Sequence, residues 1–130
     1  MTRILALALC SLPLAACTTM PDAPIVEGTP LAEGSPVAID QPVWVGDVVL
    51  TPKRVVEDSR CPMNARCVWA GRLVVETRID GAGWRETKEL SLGEPYMTHG
   101  RSVALVSAEP NTLAGQETPA ATYRFVYELR

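Results

Sequence analysis

The stretch that decides the fold is "RLVVETRIDGAGWRETKELSL", Arg72 to Leu92. Leu73, Val75, Thr77 and Ile79 fall on one side, while Arg72, Glu76, Arg78 and Asp80 fall on the other with Val74 among them. That is the two-residue period of a half-buried strand, not the 3.6-residue period of a helix. "DGAG" at 80–83 supplies turn residues, and beyond it Trp84, Leu90 and Leu92 keep one phase while Arg85, Thr87, Glu89 and Ser91 keep the other. Two alternating runs joined by a glycine turn predict a β-hairpin.

The same period extends to both sides. "TYRFVYELR" at the C-terminus sets Tyr123, Phe125, Tyr127 and Leu129 against Arg124, Val126 and Glu128. "RSVALVSAEP" from Arg101 offers a strand with Val103, Leu105 and Ser107 alternating, and "VWVGDVVLTPKRVVED" from Val43 offers one or two more. An interruption is expected at Pro52, because proline cannot donate to a ladder. No window carries a sustained apolar stripe at helical spacing with good caps, so any helix should be a single turn. About six short strands punctuated by Gly and Pro predict an all-β domain, a small antiparallel β-sandwich or partly open barrel.

The chain ahead of Pro42 reads differently. Arg3 followed by "ILALALCSLPLA" is the charged start and apolar core of a signal peptide, too short for a membrane span and broken by Pro13. It ends in "LAAC", Leu14 to Cys17, which resembles the lipobox of bacterial lipoproteins. The resemblance implies cleavage after Ala16, a diacylglycerol thioether on Cys17, and attachment to the membrane through that anchor. Two or three acyl chains, at about 0.8 kcal/mol per buried methylene, hold far better than one. Thr18, not Asp, follows the cysteine, which by the family's sorting rule implies an outer-membrane lipoprotein facing the periplasm.

The next stretch, "TTMPDAPIVEGTPLAEGSPVAIDQ", has Pro21, Pro24, Pro30 and Pro36, with Pro42 just beyond, and no aromatic residue to bury. We read residues 17–41 as the lipidated N-terminus and a tether, spanning roughly 25–30 Å as a coil and about 70 Å at full polyproline extension. In the alternative, "PVAID" already opens an edge strand. The domain proper is then 42–130, small enough to bury only about 60–65% of its unfolded surface.

A thin core gives the cysteines a structural task. Cys10 leaves with the signal and Cys17 takes the lipid, so Cys61 and Cys67 remain in a disulfide-permissive compartment. They lie in "DSRCPMNARCVWAG", Asp58 to Gly71, where Pro62 and Asn64 favour a reversal. A disulfide across this loop should contribute roughly 2 kcal/mol. Trp69, two residues past Cys67, would share its side in an extended strand and pack on the bridge inside the core, and Gly71 would mark a bulge or a close backbone approach. In the alternative, Trp44, Trp69 and Trp84 form an aromatic binding surface.

These residues carry a second resemblance. "DSRCP", a second cysteine in "CVWAG" and the closing strand are similar to a group of small secreted or lipid-anchored bacterial β proteins, over Val43 to Arg130. The resemblance supports the disulfide and the β fold and implies no activity. Asp58 and Arg60 belong to that motif as much as the cysteines do, and are expected to pair with each other or with the following turn.

Little points to chemistry. One histidine, His99, cannot define a triad, and the serines lie in no nucleophile elbow. C-x5-C without a further ligand pair is a weak metal motif, and the redox C-x-x-C spacing is absent. No catalytic residue, metal or cofactor is expected. The formal net charge of −3 offers no basic patch for nucleic acid. The favoured reading is a non-catalytic envelope module that contacts another envelope protein or a cell-wall component. The other is a small-molecule or copper binder using Met63, Met97 and His99 near the cysteine loop.

Overall fold

The structure, a computed structural model, describes residues 23–130. The signal peptide, the lipobox and Cys17 lie outside the described residues. Among the described residues, seven strands form two antiparallel sheets. The first holds β1 (Val43–Val45), β2 (Val48–Asp58), β3 (Leu73–Gly81) and β4 (Trp84–Ser91) in sequence order. The second holds β5 (Tyr96–Thr98), β6 (Arg101–Glu109) and β7 (Arg124–Leu129). A single 3-10 turn, Ala120–Thr122, precedes β7. The sheets face each other without closing into a barrel.

The expected hairpin is β3–β4, in register from Val74 opposite Ser91 to Gly81 opposite Trp84. Leu73, Val75, Thr77 and Ile79 all point into the core, and Leu90 joins them from β4. Tyr127 and Phe125 are the largest fully buried side chains, and they meet this face from the other sheet. Thr77 Oγ1 and Tyr127 OH lie 2.9 Å apart in the dry interior, so each satisfies the other across the sandwich. Burial pushes the Tyr127 hydroxyl pKa up, against the smaller opposing effect of that bond.

Two expectations about strands are corrected. Pro52 does not interrupt β2: the register shifts between Pro52 and Arg54 and again between Val55 and Glu57, so Lys53 and Val56 are bulged residues and the strand continues. Proline is tolerated because it sits at an irregularity of the ladder. In β6 a shift between Leu105 and Ser107 changes the phase, so Ala108 joins the core cluster where Ser107 was expected to point inward.

Residues ahead of Gln41 also take part in the fold. Leu31 makes a parallel bridge with Val43, and Val37, fully buried, makes an antiparallel bridge with Phe125. Residues 31–37 therefore step from the β1 edge of one sheet to the β7 edge of the other, and "PVAID" contributes an edge contact. Between the two bridges the Glu33 carboxylate accepts from Gly46 N at 2.8 Å and Leu129 N at 3.4 Å. Both edges are thus covered, which removes a template for pairing with other chains.

Candidate functional site

The loop between β2 and β3 carries the motif that the sequence singles out. The ladder closes at Asp58 opposite Leu73 and extends one step to a bond from Ser59 N to Arg72 O at 2.9 Å. At that neck Gly71 passes so close to the chain that a Cβ on it would overlap the Ser59 carbonyl. Only glycine fits, for reasons of space and not of φ. Cys61 and Cys67 are joined in a disulfide with their Cα atoms 5.9 Å apart. It staples the outer part of the loop.

Asp58 and Arg60 clamp the base. Arg60 donates from Nε to Asp58 Oδ1 and from Nη2 to Oδ2, both at 2.8 Å, a bidentate pair with little solvent access. The guanidinium also reaches the carbonyls of Ala108 at 3.1 Å and Pro110 at 2.9 Å, tying the loop to the end of β6. Tyr123 OH donates to Asp58 Oδ2 at 2.7 Å. Burial pushes the Asp58 carboxyl pKa up, but the bonds from Arg60 and Tyr123 outweigh it and hold the group below its ordinary value. The bond to Asp58 raises the Arg60 pKa against burial, and burial together with Asp58 raises that of Tyr123.

The first half of the loop is tied to residues 112–114. Met63 N donates to Thr112 O at 3.0 Å, Ala114 N donates to Asn64 Oδ1 at 2.8 Å, and Thr112 Oγ1 donates to Arg60 O at 3.2 Å. The loop's apolar side chains face outward: Val68 is 92% exposed, Met63 71% and Trp69 70%, with Val68 and Trp69 lying between the stapled Cys67 and the Gly71 neck. Trp69 therefore does not enter the core beside the bridge. The period-two extrapolation from Cys67 fails because residues 59–72 are the irregular loop of the hairpin and the strand begins only at Leu73.

The three tryptophans share no surface. Trp84 packs against the core at the β3–β4 turn and stacks on His99, ring centroids 3.7 Å apart and planes 13° off parallel. Trp44 sits on the edge strand β1 opposite Val49. Trp69 stands alone at the other end of β2. The same geometry separates Met63 from Met97 and His99, which lie at the β5–β6 turn, and both loop cysteines are in the disulfide. The copper ligand set does not assemble. Among the described residues, no three His, Cys, Asp or Glu side chains are grouped to hold a metal.

A groove of about 720 Å³ runs from Pro62 past Asp58, Arg60 and Tyr123 to residues 112–120. Of its charged groups Asp58 pairs with Arg60, Lys53 with Asp40 and Arg54 with Glu76, while Glu117 makes no ion pair among the described residues. Near Trp84 a smaller hollow of about 380 Å³ is lined by Ile25, Asp80 and Arg85. Asp80, 1% exposed, takes Arg78 Nε at 2.9 Å and Arg85 Nε, while Arg85 Nη2 donates to the Ile25 carbonyl at 2.7 Å. This docks the start of the described chain at the end of the sandwich remote from the stapled loop.

The sequence pointed to Asp58, Arg60, Pro62, Gly71 and the cysteines, and the fold brings them together. It missed Tyr123, which is 65 positions from Asp58 and bears no local mark. The exposed Val68–Trp69 pair was readable in principle, since two large apolar residues in succession break strand alternation. Comparisons with family models, with curated proteins and with solved structures find no match. The fold defines an all-β sandwich with one disulfide, and the site is a stapled loop that displays apolar side chains.

Proposed function

We propose that this chain is a cell-envelope lipoprotein, anchored through Cys17 and facing the periplasm from the outer membrane, whose β domain is a non-catalytic binding module. One observation carries the binding role: Met63, Val68 and Trp69 are held in solvent on a loop fixed by the disulfide and the Asp58–Arg60 clamp. Exposing apolar area forgoes its burial, and a protein gains from such a loop chiefly when a partner covers it. A fixed loop also loses little conformational entropy on binding. The charged groups that the fold buries, Asp58 and Asp80, are each occupied by arginines in structural pairs.

The anchor is tested by fractionation and palmitate labelling in the native host. Wild type should label and sediment with outer membranes, and Cys17→Ser should lose the label and become soluble. A Cys17→Ser variant that still sediments with membranes removes lipidation as the means of attachment. Such a result leaves the loop's role open to a separate test.

A further inference from the structure

We infer that the stapled loop inserts into an apolar socket of a protein partner whose rim carries carboxylates; this rests on the binding-module reading above. The apolar part of the surface is Met63, Val68 and Trp69, and Trp is among the residues that most often anchor interfaces. The charge comes from Arg66. Of the arginines in or bounding this loop, Arg60 is held by Asp58 and Arg72 by Glu57 at 2.7 Å. Arg66 is exposed and has no ion-pair or hydrogen-bond partner among the described residues. A cation set beside exposed apolar groups is complemented by an acidic rim around an apolar pocket.

Other occupants fit less well. A glycan strand presents hydroxyls, and the methyl groups of Val68 and Met63 beside the indole would leave those hydroxyls without bonds. The anchoring bilayer is on the wrong side, because Ile25, two residues into the described chain, is held by Arg85 at the Trp84 end. The loop begins beyond the far end of β2, roughly 30 Å away at about 3.3 Å per residue. A second copy meeting tip to tip about a two-fold axis would bring two unpaired Arg66 charges into one small interface, with no carboxylate of the loop tip to neutralise them. A small, preorganised contact of this kind suits a reversible interface and not a permanent one.

The test is photo-crosslinking in the native host with the full-length lipoprotein. A benzophenone amino acid replaces Val68 in one strain and the exposed Glu89 on β4 in another, each in wild-type, Trp69→Ala, Arg66→Glu and Arg66→Lys backgrounds. The expected result is a discrete protein adduct from position 68 and none from 89, mapped to a peptide rich in Asp or Glu. The adduct falls about tenfold or more with Trp69→Ala and with Arg66→Glu, and survives Arg66→Lys. Melting curves of the variants check folding. Should Trp69→Ala not fold, Met63→Ser in the same strain tests the apolar contact.

Adducts to sacculi, to lipid or to a second copy overturn the proposal, as does no adduct or one indifferent to Arg66→Glu. The same strains carrying Cys17→Ser keep the two claims apart. If the soluble variant, mixed with isolated envelopes, still forms the Arg66-dependent adduct, the socket stands whatever holds the protein to the membrane.

Discussion

Where β3 turns into β4, Trp84 lies against the core under His99, and the local ion pair between Arg101 and Asp47 is out in solvent. At the other end of the sandwich Trp69 faces solvent, and the local ion pair between Arg60 and Asp58 is nearly closed off from it. Each end also buries a carboxylate held by arginine, Asp80 beside the β3–β4 turn and Asp58 beneath the stapled loop, so what differs is the tryptophan: packed at one end and in solvent at the other. At the β3–β4 turn the core itself positions the tryptophan, so the hairpin needs no further fixing for that purpose. A loop that holds an indole in water has no core contact to position it, so its backbone must be fixed from beneath by a disulfide, a bidentate clamp and a glycine neck.

If that account is correct, damage to the fixings should cost far more at the stapled end. The largest effect is expected for Gly71→Ala, whose added methyl meets the Ser59 backbone with no flexible group to yield. We expect a loss of about 4 kcal/mol or failure to fold, against about 1 kcal/mol for Gly100→Ala at the opposite end. There the backbone φ of +76° is the cost and nothing lies within 4 Å. Urea denaturation of the two variants gives both numbers, and equal losses would refute the neck as a special site.

Next comes the clamp. Asp58→Asn leaves Arg60 charged among carbonyls and should destabilise by about 3 kcal/mol, whereas Asp47→Asn, which breaks an exposed pair, should leave stability essentially unchanged. The pH dependence has a defined sign. Because the Asp58 carboxyl is held below its ordinary value, its contribution is present above about pH 3.9 and is lost as pH falls through its folded value. Wild type should therefore lose more stability on acidification than Asp58→Asn over that window. Tyr123, whose pKa is raised, contributes with the opposite sign, fully below about pH 10 and fading as pH climbs through its folded value.

How much of this was legible depends on whether the determining contact is local. The hairpin from Leu73 to Ser91 follows from alternation and a glycine turn, both within one window of sequence, and its inward face came out as read. The Asp58–Arg60 pair is two residues apart and was readable for the same reason. The phase change in β6 was not, because a bulge after Leu105 depends on how β7 lies beside it. Trp69 was misread because alternation was extended into a segment that no partner strand pairs. Val37 entered only through the alternative that "PVAID" opens an edge strand, because an isolated bridge leaves no periodic trace and its burial depends on Phe125, far along the chain.

The staple itself is expected to matter less than the clamp. Replacing both Cys61 and Cys67 with serine removes a constraint across a short loop and should cost about 2 kcal/mol. The structural consequence should be confined to one end: trypsin should cut at Arg66 faster than in wild type, with the β3–β4 hairpin still protected in hydrogen exchange. If instead the whole domain loses protection, the clamp and the neck do not hold the loop base on their own.

The smallest expected effect sharpens the comparison most, because it sets one tryptophan against another. Trp84→Ala removes a ring that packs on the core and stacks on His99, and should cost about 2 kcal/mol. Trp69→Ala removes a larger exposed area and no core contact, and should cost no more than about 0.5 kcal/mol. A tryptophan packed beside the bridge would instead cost about 3–5 kcal/mol on truncation. Thermal melts of the two variants thus decide between a displayed indole and a buried one. Should Trp69→Ala also leave disulfide formation and the melting temperature unchanged, the residue contributes nothing to the fold, and the β2–β3 loop keeps it for contact with something outside the chain.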